Sequence, residues 1–121
     1  MTQLRIRESG SGPAVLLLHG SPSTSASLEP LAARLARSHR VLLPDLPGYA
    51  GTTPLPGEYS YDLVCVLLED ELVSRGVSDV AVVGQSAGGY RALALALDAR
   101  RIRVTTIVTL GGDRRRGRRR A

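Results

Sequence analysis

Short apolar runs closed by glycine or proline alternate along this chain with stretches whose apolar residues recur every three or four positions. Leu4 to Arg7 alternates apolar and charged residues, the pattern of a half-exposed edge strand. Val15 to Leu18 is a continuous apolar run between turn signals and reads as a strand buried on both faces. Ser27 is placed to cap a helix carrying Leu28, Leu31, Ala32 and Leu35 on one face, with Arg34 and Arg37 on the other. Val41 to Leu43 is the next buried strand, with Pro44 as its stop. Ser60 caps a second helix that runs to Arg75 and ends at Gly76. Val80 to Val83 is a third buried strand. The Ala- and Leu-rich stretch from Ala87 to Arg100 is apolar nearly all round and predicts a buried helix. Val104 to Leu110, rich in β-branched residues, is the last strand. Strands separated by helices predict an α/β protein with a mostly parallel sheet of about five strands flanked by helices.

Composition narrows the class. With 121 residues the chain is one domain or part of one. A hydrophobic content of 43% argues against intrinsic disorder. The longest uninterrupted apolar run, Ala14 to Leu18, cannot span a bilayer, and residues 1 to 12 lack a secretory pattern. A single cysteine, Cys65, cannot form an internal disulfide, so a cytoplasmic protein is expected. Cys65 lies among Leu and Val in a predicted helix and reads as a small core residue, without metal-ligand spacing around it. Residues 9 to 13 superficially resemble a phosphate loop, but no strand, glycine and helix with a Lys follow, and no cofactor is expected.

Charge separates body from tail. All sixteen basic residues are arginine, and six of them (Arg114, Arg115, Arg116, Arg118, Arg119 and Arg120) fall in the last eight positions. Residues 1 to 113 carry ten arginines against eleven acidic residues. A body so nearly neutral does not read as a nucleic-acid-binding surface; polyanion contact would belong to residues 114 to 121, which are expected to be disordered. Glu69, Asp70 and Glu71 read as a solvated helical stretch, and Tyr49 and Tyr90 as packing residues, with pocket lining as the lesser alternative.

The chemistry concentrates at strand ends. Gly84-Gln85-Ser86-Ala87-Gly88 matches G-x-S-x-G, follows a predicted buried strand and opens a predicted helix. Such a turn brings backbone so close that side chains at 84 and 88 would clash, and it raises the Ser86 hydroxyl above the sheet as a nucleophile. The competing reading is a serine helix cap followed by packing glycines. Val15 to Leu18 ends in His19-Gly20-Ser21-Pro22. Acyl transfer needs two backbone N–H groups aimed at the oxyanion, and Ala87 and Ser21 are the natural pair. The strand at Val41 is followed by Asp45-Leu46-Pro47-Gly48-Tyr49-Ala50-Gly51-Thr52.

These three motifs, in this order, resemble the α/β-hydrolase superfamily over residues 3 to about 112. Members show H-G after one strand, D-x-x-G-x-G-x-S after the next and G-x-S-x-G after a third. Here Ala50 and Thr52 replace a glycine and the serine, and Gln85 stands where many relatives have His. The resemblance implies structural roles for His19 and Gly20, a loop-shaping role for Asp45 and Gly48, and an esterase-like serine hydrolase. It disfavours the dehalogenase and epoxide-hydrolase branches, which use aspartate at the nucleophile position. It also implies a triad ordered nucleophile, acid, histidine. The chain stops after the strand following the elbow helix, so it is expected to be the N-terminal part of the fold (residues 1 to 113) and weakly active by itself. His19 belongs to the oxyanion loop and His39 to the far end of the sheet, which leaves no histidine placed as general base. Asp113 is the one candidate acid. Two functions follow: a serine hydrolase acting on acyl substrates, or a degenerate fold that binds polyanions through its Arg tail. In either case Val104 to Leu110 would form an edge without charge or proline, open to self-association.

Overall fold

The computed structural model describes residues 4–20, 24–46 and 61–111. Five strands form one sheet: β1 (Arg5–Ser9), β2 (Ala14–Leu18), β3 (Arg40–Asp45), β4 (Asp79–Gln85) and β5 (Arg103–Leu110). Their lateral order is β1-β3-β2-β4-β5. β1 runs antiparallel to β3, and the other neighbours are parallel. The helices are α1 (Glu29–Leu35), α2 (Tyr61–Ser74) and α3 (Gly88–Asp98), with a 3-10 turn, Ser25–Leu28, ahead of α1. The α/β architecture expected from the alternating pattern is present.

The run at Val15 is apolar throughout because both faces of β2 are covered. Successive strand side chains point to opposite faces. Val15 and Leu17 pack with Leu28 and Ala32 on the α1 side, together with Val41, Leu43 and Val83. Leu16 and Leu18 pack with Val64, Leu68 and Leu72 of α2 and Ala92 and Leu95 of α3. α2 ends as its sequence predicts: Gly76 sits at φ 78°, Gly76 N–H bonds to Val73 O at 3.0 Å, and Val77 N–H bonds to Leu72 O at 2.9 Å. This closes the last carbonyls of the helix. Cys65 is buried in the core, as expected.

Several local expectations are corrected. Pro44 does not stop its strand: β3 continues to Asp45, with Pro44 opposite Ile6 on β1. Pairing with β2 already ends at Leu16↔Leu42, so the missing proline N–H breaks no bond on that side. Ser27 is not a helix cap. Thr24 caps the 3-10 turn, its hydroxyl accepting from Ala26 N–H at 3.3 Å, and Pro30 sits in the first turn of α1. Glu69 is buried, not solvated. α3 is buried along one side only, with Tyr90, Leu93 and Leu97 exposed. The cause is β5, the sheet edge, where Ile107, Val108 and Leu110 are exposed as well. No helix among the described residues is long and apolar enough to cross a membrane.

Candidate active site

The parallel register of β2 and β4 pairs Leu18 with Gly84, so both strands deliver their carboxyl ends to one level. In open α/β sheets this end is where ligands bind. Gln85 and Ser86 therefore meet the chain at His19 and Gly20.

Ser86 is exposed, and its φ of 52° is the one positive value at a non-glycine among the described residues. A left-handed conformation costs an L-residue about 1–2 kcal/mol, and surrounding structure must hold it. Ser86 N–H bonds to Leu110 O of β5 at 2.8 Å, and Gly89 N–H bonds to Ser86 O at 2.9 Å. The two motif glycines have physical reasons. A Cβ on Gly84 would lie 2.4 Å from Gly88 O, and one on Gly88 would lie 2.2 Å from Leu18 O. Strand, turn and helix thus approach too closely for any side chain at either position. The serine-cap reading fails: Ala87 occupies the cap position, with helical φ and ψ and no side-chain cap bond.

Gly20 is pressed against the elbow. Its Cβ would meet Gln85 O at 2.8 Å and Ser86 Cβ at 3.1 Å. His19 is fully buried. Its Nε2 accepts the N–H of Leu46 at 3.1 Å, which places the ring proton on Nδ1, 2.9 Å from Gly20 O. The ring joins the ends of β2 and β3, and its Nε2 lone pair is engaged. His39 stands just before β3, beside the Ser38 hydroxyl, at the opposite end of the sheet from Ser86. Asp45 is buried. Its Oδ1 accepts from the Ser25 hydroxyl and from Ser25 N–H at 3.4 Å, with Arg5 at 3.9 Å from Oδ2. Arg7 donates to Ser25 Oγ and to Glu29. Asp45 therefore anchors the start of the 3-10 turn.

Of the expected site residues, Ser86, Ala87, Gly84, Gly88, His19 and Gly20 meet at one place. Ser21, Gly48, Tyr49, Asp113 and the Arg tail lie outside the described residues, as does Ser60. Tyr90 points away from packing, 68% exposed. A groove of about 580 Å³ touches Cys65, Glu69 and Leu97 at the far end of α3, away from Ser86. No group of His, Cys, Asp and Glu among the described residues could hold a metal ion.

Sequence reasoning noted Gln85 only as a departure from a common histidine, and missed its contacts. Its Oε1 lies 2.9 Å from Ser27 Oγ and 3.4 Å from Gly20 N. It also missed Glu69, whose Oε2 accepts Arg100 N–H at 2.7 Å and Arg101 N–H at 2.6 Å. Burial raises this carboxyl's pKa, but the N–H bonds from Arg101 and Arg100 outweigh it and hold the group below its ordinary value. The only sequence signal was an acidic residue at the apolar spacing of α2.

The chain matches the family model described as alpha/beta hydrolase fold over residues 13–118. It is 36% identical over 119 residues to a 2-hydroxy-6-oxononadienedioate/2-hydroxy-6-oxononatrienedioate hydrolase of Pseudomonas putida, covering 91% of this chain and 40% of that protein. Among solved structures, a thermophilic esterase from Thermogutta terrifontis aligns with a TM-score of 0.84 at 27% identity, over 91% of this chain and 40% of that one. The epoxide hydrolase CorEH aligns with a TM-score of 0.83 at 25% identity, over 90% and 38%. The chain spans about 26–40% of the length of the curated relatives it matches.

Proposed function

The chain belongs to the alpha/beta hydrolase fold family, and from that premise we propose that it is the nucleophile-bearing part of a serine hydrolase acting on carboxylic esters or related acyl substrates. One observation carries this reading: an exposed serine in a left-handed conformation at the carboxyl end of β4, with Gly20 packed against its Cβ. Esterases and an epoxide hydrolase both share the fold. The hydroxyl at position 86, rather than a carboxylate, favours the esterase side.

In the proposed reaction Ser86 Oγ attacks the ester carbonyl carbon. The hydroxyl proton leaves to a base, and the carbonyl π-electrons move to oxygen. The backbone N–H groups of Ala87 and Ser21 hold that oxyanion. Collapse expels the alcohol and leaves an acyl-serine, which water hydrolyses. His19 does not serve as the base, because its Nε2 already accepts from Leu46 N–H. His39 stands at the wrong end of the sheet. Neither described histidine is therefore placed as the base, and this reading expects only slow catalysis from residues 1–121 alone. Slow hydrolysis of a p-nitrophenyl ester, abolished in Ser86→Ala, is the expected result; equal rates for parent and variant would reject it. We also propose β5 as an edge through which copies of this chain pair.

A further inference from the structure

Gln85 ends β4 directly before Ser86, and its side chain reaches Gly20 and Ser27, on either side of residues 21–23. On the near side, Gly20 N lies 3.4 Å from Gln85 Oε1. On the far side, Ser27 Oγ lies 2.9 Å from the same Oε1 and 2.9 Å from Thr24 O. The one side-chain oxygen therefore spans 58 and 65 residues of sequence to reach both flanks. The main chain repeats the link, since Gly20 has no room for a Cβ against Gln85 O and Ser86 Cβ. Gln85 also fits the chemistry. An uncharged acceptor can hold an N–H and a hydroxyl beside a developing oxyanion without adding charge, which a carboxylate could not.

We propose that Gln85 is a positioning residue for the acyl-transfer site. It touches neither substrate nor the reacting atoms. It holds Gly20 and Ser27 in register with Ser86, so that the end of β2 stays fixed against the nucleophile. The proposal rests on the reading of Ser86 as nucleophile and adds to it a residue that keeps Gly20 and Ser27 aligned with the elbow. Misplacing such groups by about 1 Å costs on the order of 100-fold in rate.

The test uses the 121-residue chain with Gln85→Met, which keeps the length but loses the acceptor, and Gln85→Glu, which keeps an acceptor and adds a titratable charge. A fluorophosphonate probe reports on Ser86: Oγ bonds to phosphorus, fluoride leaves, and the hydroxyl proton passes to solvent. Met is expected to lower the maximal labelling rate about 10- to 100-fold with the probe's half-saturation concentration unchanged. Glu is expected to give a rate ratio to the parent that falls as pH rises through the ordinary carboxyl range near about 4.3. In parallel, hydrogen exchange at the Gly20 amide, read by NMR, is expected to quicken about fivefold in Met and not in Glu. An unlabelled parent rejects the serine reading and this proposal with it. A labelled parent with a Met variant that labels as fast, or with unaltered Gly20 exchange in a folded Met variant, overturns this proposal alone.

Discussion

At Ser86 the backbone is held where an L-residue resists going, and the holding is done by glycines that leave no spare space. With 2.2 Å between a Cβ on Gly88 and Leu18 O, Gly88→Ala forces β2 and α3 apart. Overpacking of this kind costs about 1–3 kcal/mol, and this contact is with backbone, which yields least. Gly88→Ala is expected to lower stability by at least about 2 kcal/mol in urea unfolding and to distort the elbow; a variant as stable as the parent would contradict the packing account. The glycines and the serine were legible in the sequence because G-x-S-x-G encodes a steric requirement. His19 was legible as support, but its link to Leu46 N–H was not, because that bond joins residues 27 apart. The contacts of Gln85 were hidden for the same reason, since they join residues 65 and 58 apart.

The strands and helices follow from apolar periodicity, and the exceptions share a cause in tertiary contact. Ser27 looked like a helix cap, yet its hydroxyl faces Gln85 and Thr24 O while Thr24 caps the turn. Glu69 looked solvated because Asp70 and Glu71 follow it, yet it closes the chain after α3 by accepting two N–H groups. Its carboxyl is held below its ordinary value, so the ionised form is the one bound in the folded state. A lowered folded pKa gives stability that is present above the unfolded value, near about 4.3, and lost as pH falls through the folded one. Glu8, whose bond to Arg40 lowers its pKa against a smaller opposing effect of burial, contributes in the same direction. Glu69→Gln is expected to cost about 1–3 kcal/mol at pH 7. The gap between parent and variant should shrink as urea unfolding is moved from pH 7 toward pH 3. A gap that is constant or grows on acidification would contradict it.

Among the described residues both flanks of the sheet are edge strands, one charged and one apolar. On the β1 side Glu8 forms ion pairs with Arg40 and Arg75. On the other, β5 has no charge or proline between Val104 and Leu110, and Leu97 of the adjoining helix is 75% exposed. Unblocked edges of this kind pair with other chains. Light scattering after size-exclusion chromatography is expected to show mass rising with concentration, and Val108→Lys is expected to reduce it; a concentration-independent monomer would contradict the pairing. The family, the mostly parallel five-stranded sheet and the elbow were readable in sequence, the lateral order β1-β3-β2-β4-β5 was not, and the course of Ser21 and Asp113 falls outside the described residues. The central claim is that Ser86 is a nucleophile. It is tested most directly by treating the chain with a fluorophosphonate and mapping the adduct by peptide mass spectrometry. The account predicts one adduct, on Ser86, absent from Ser86→Ala. Adducts spread over other serines, or undiminished in Ser86→Ala, would contradict it.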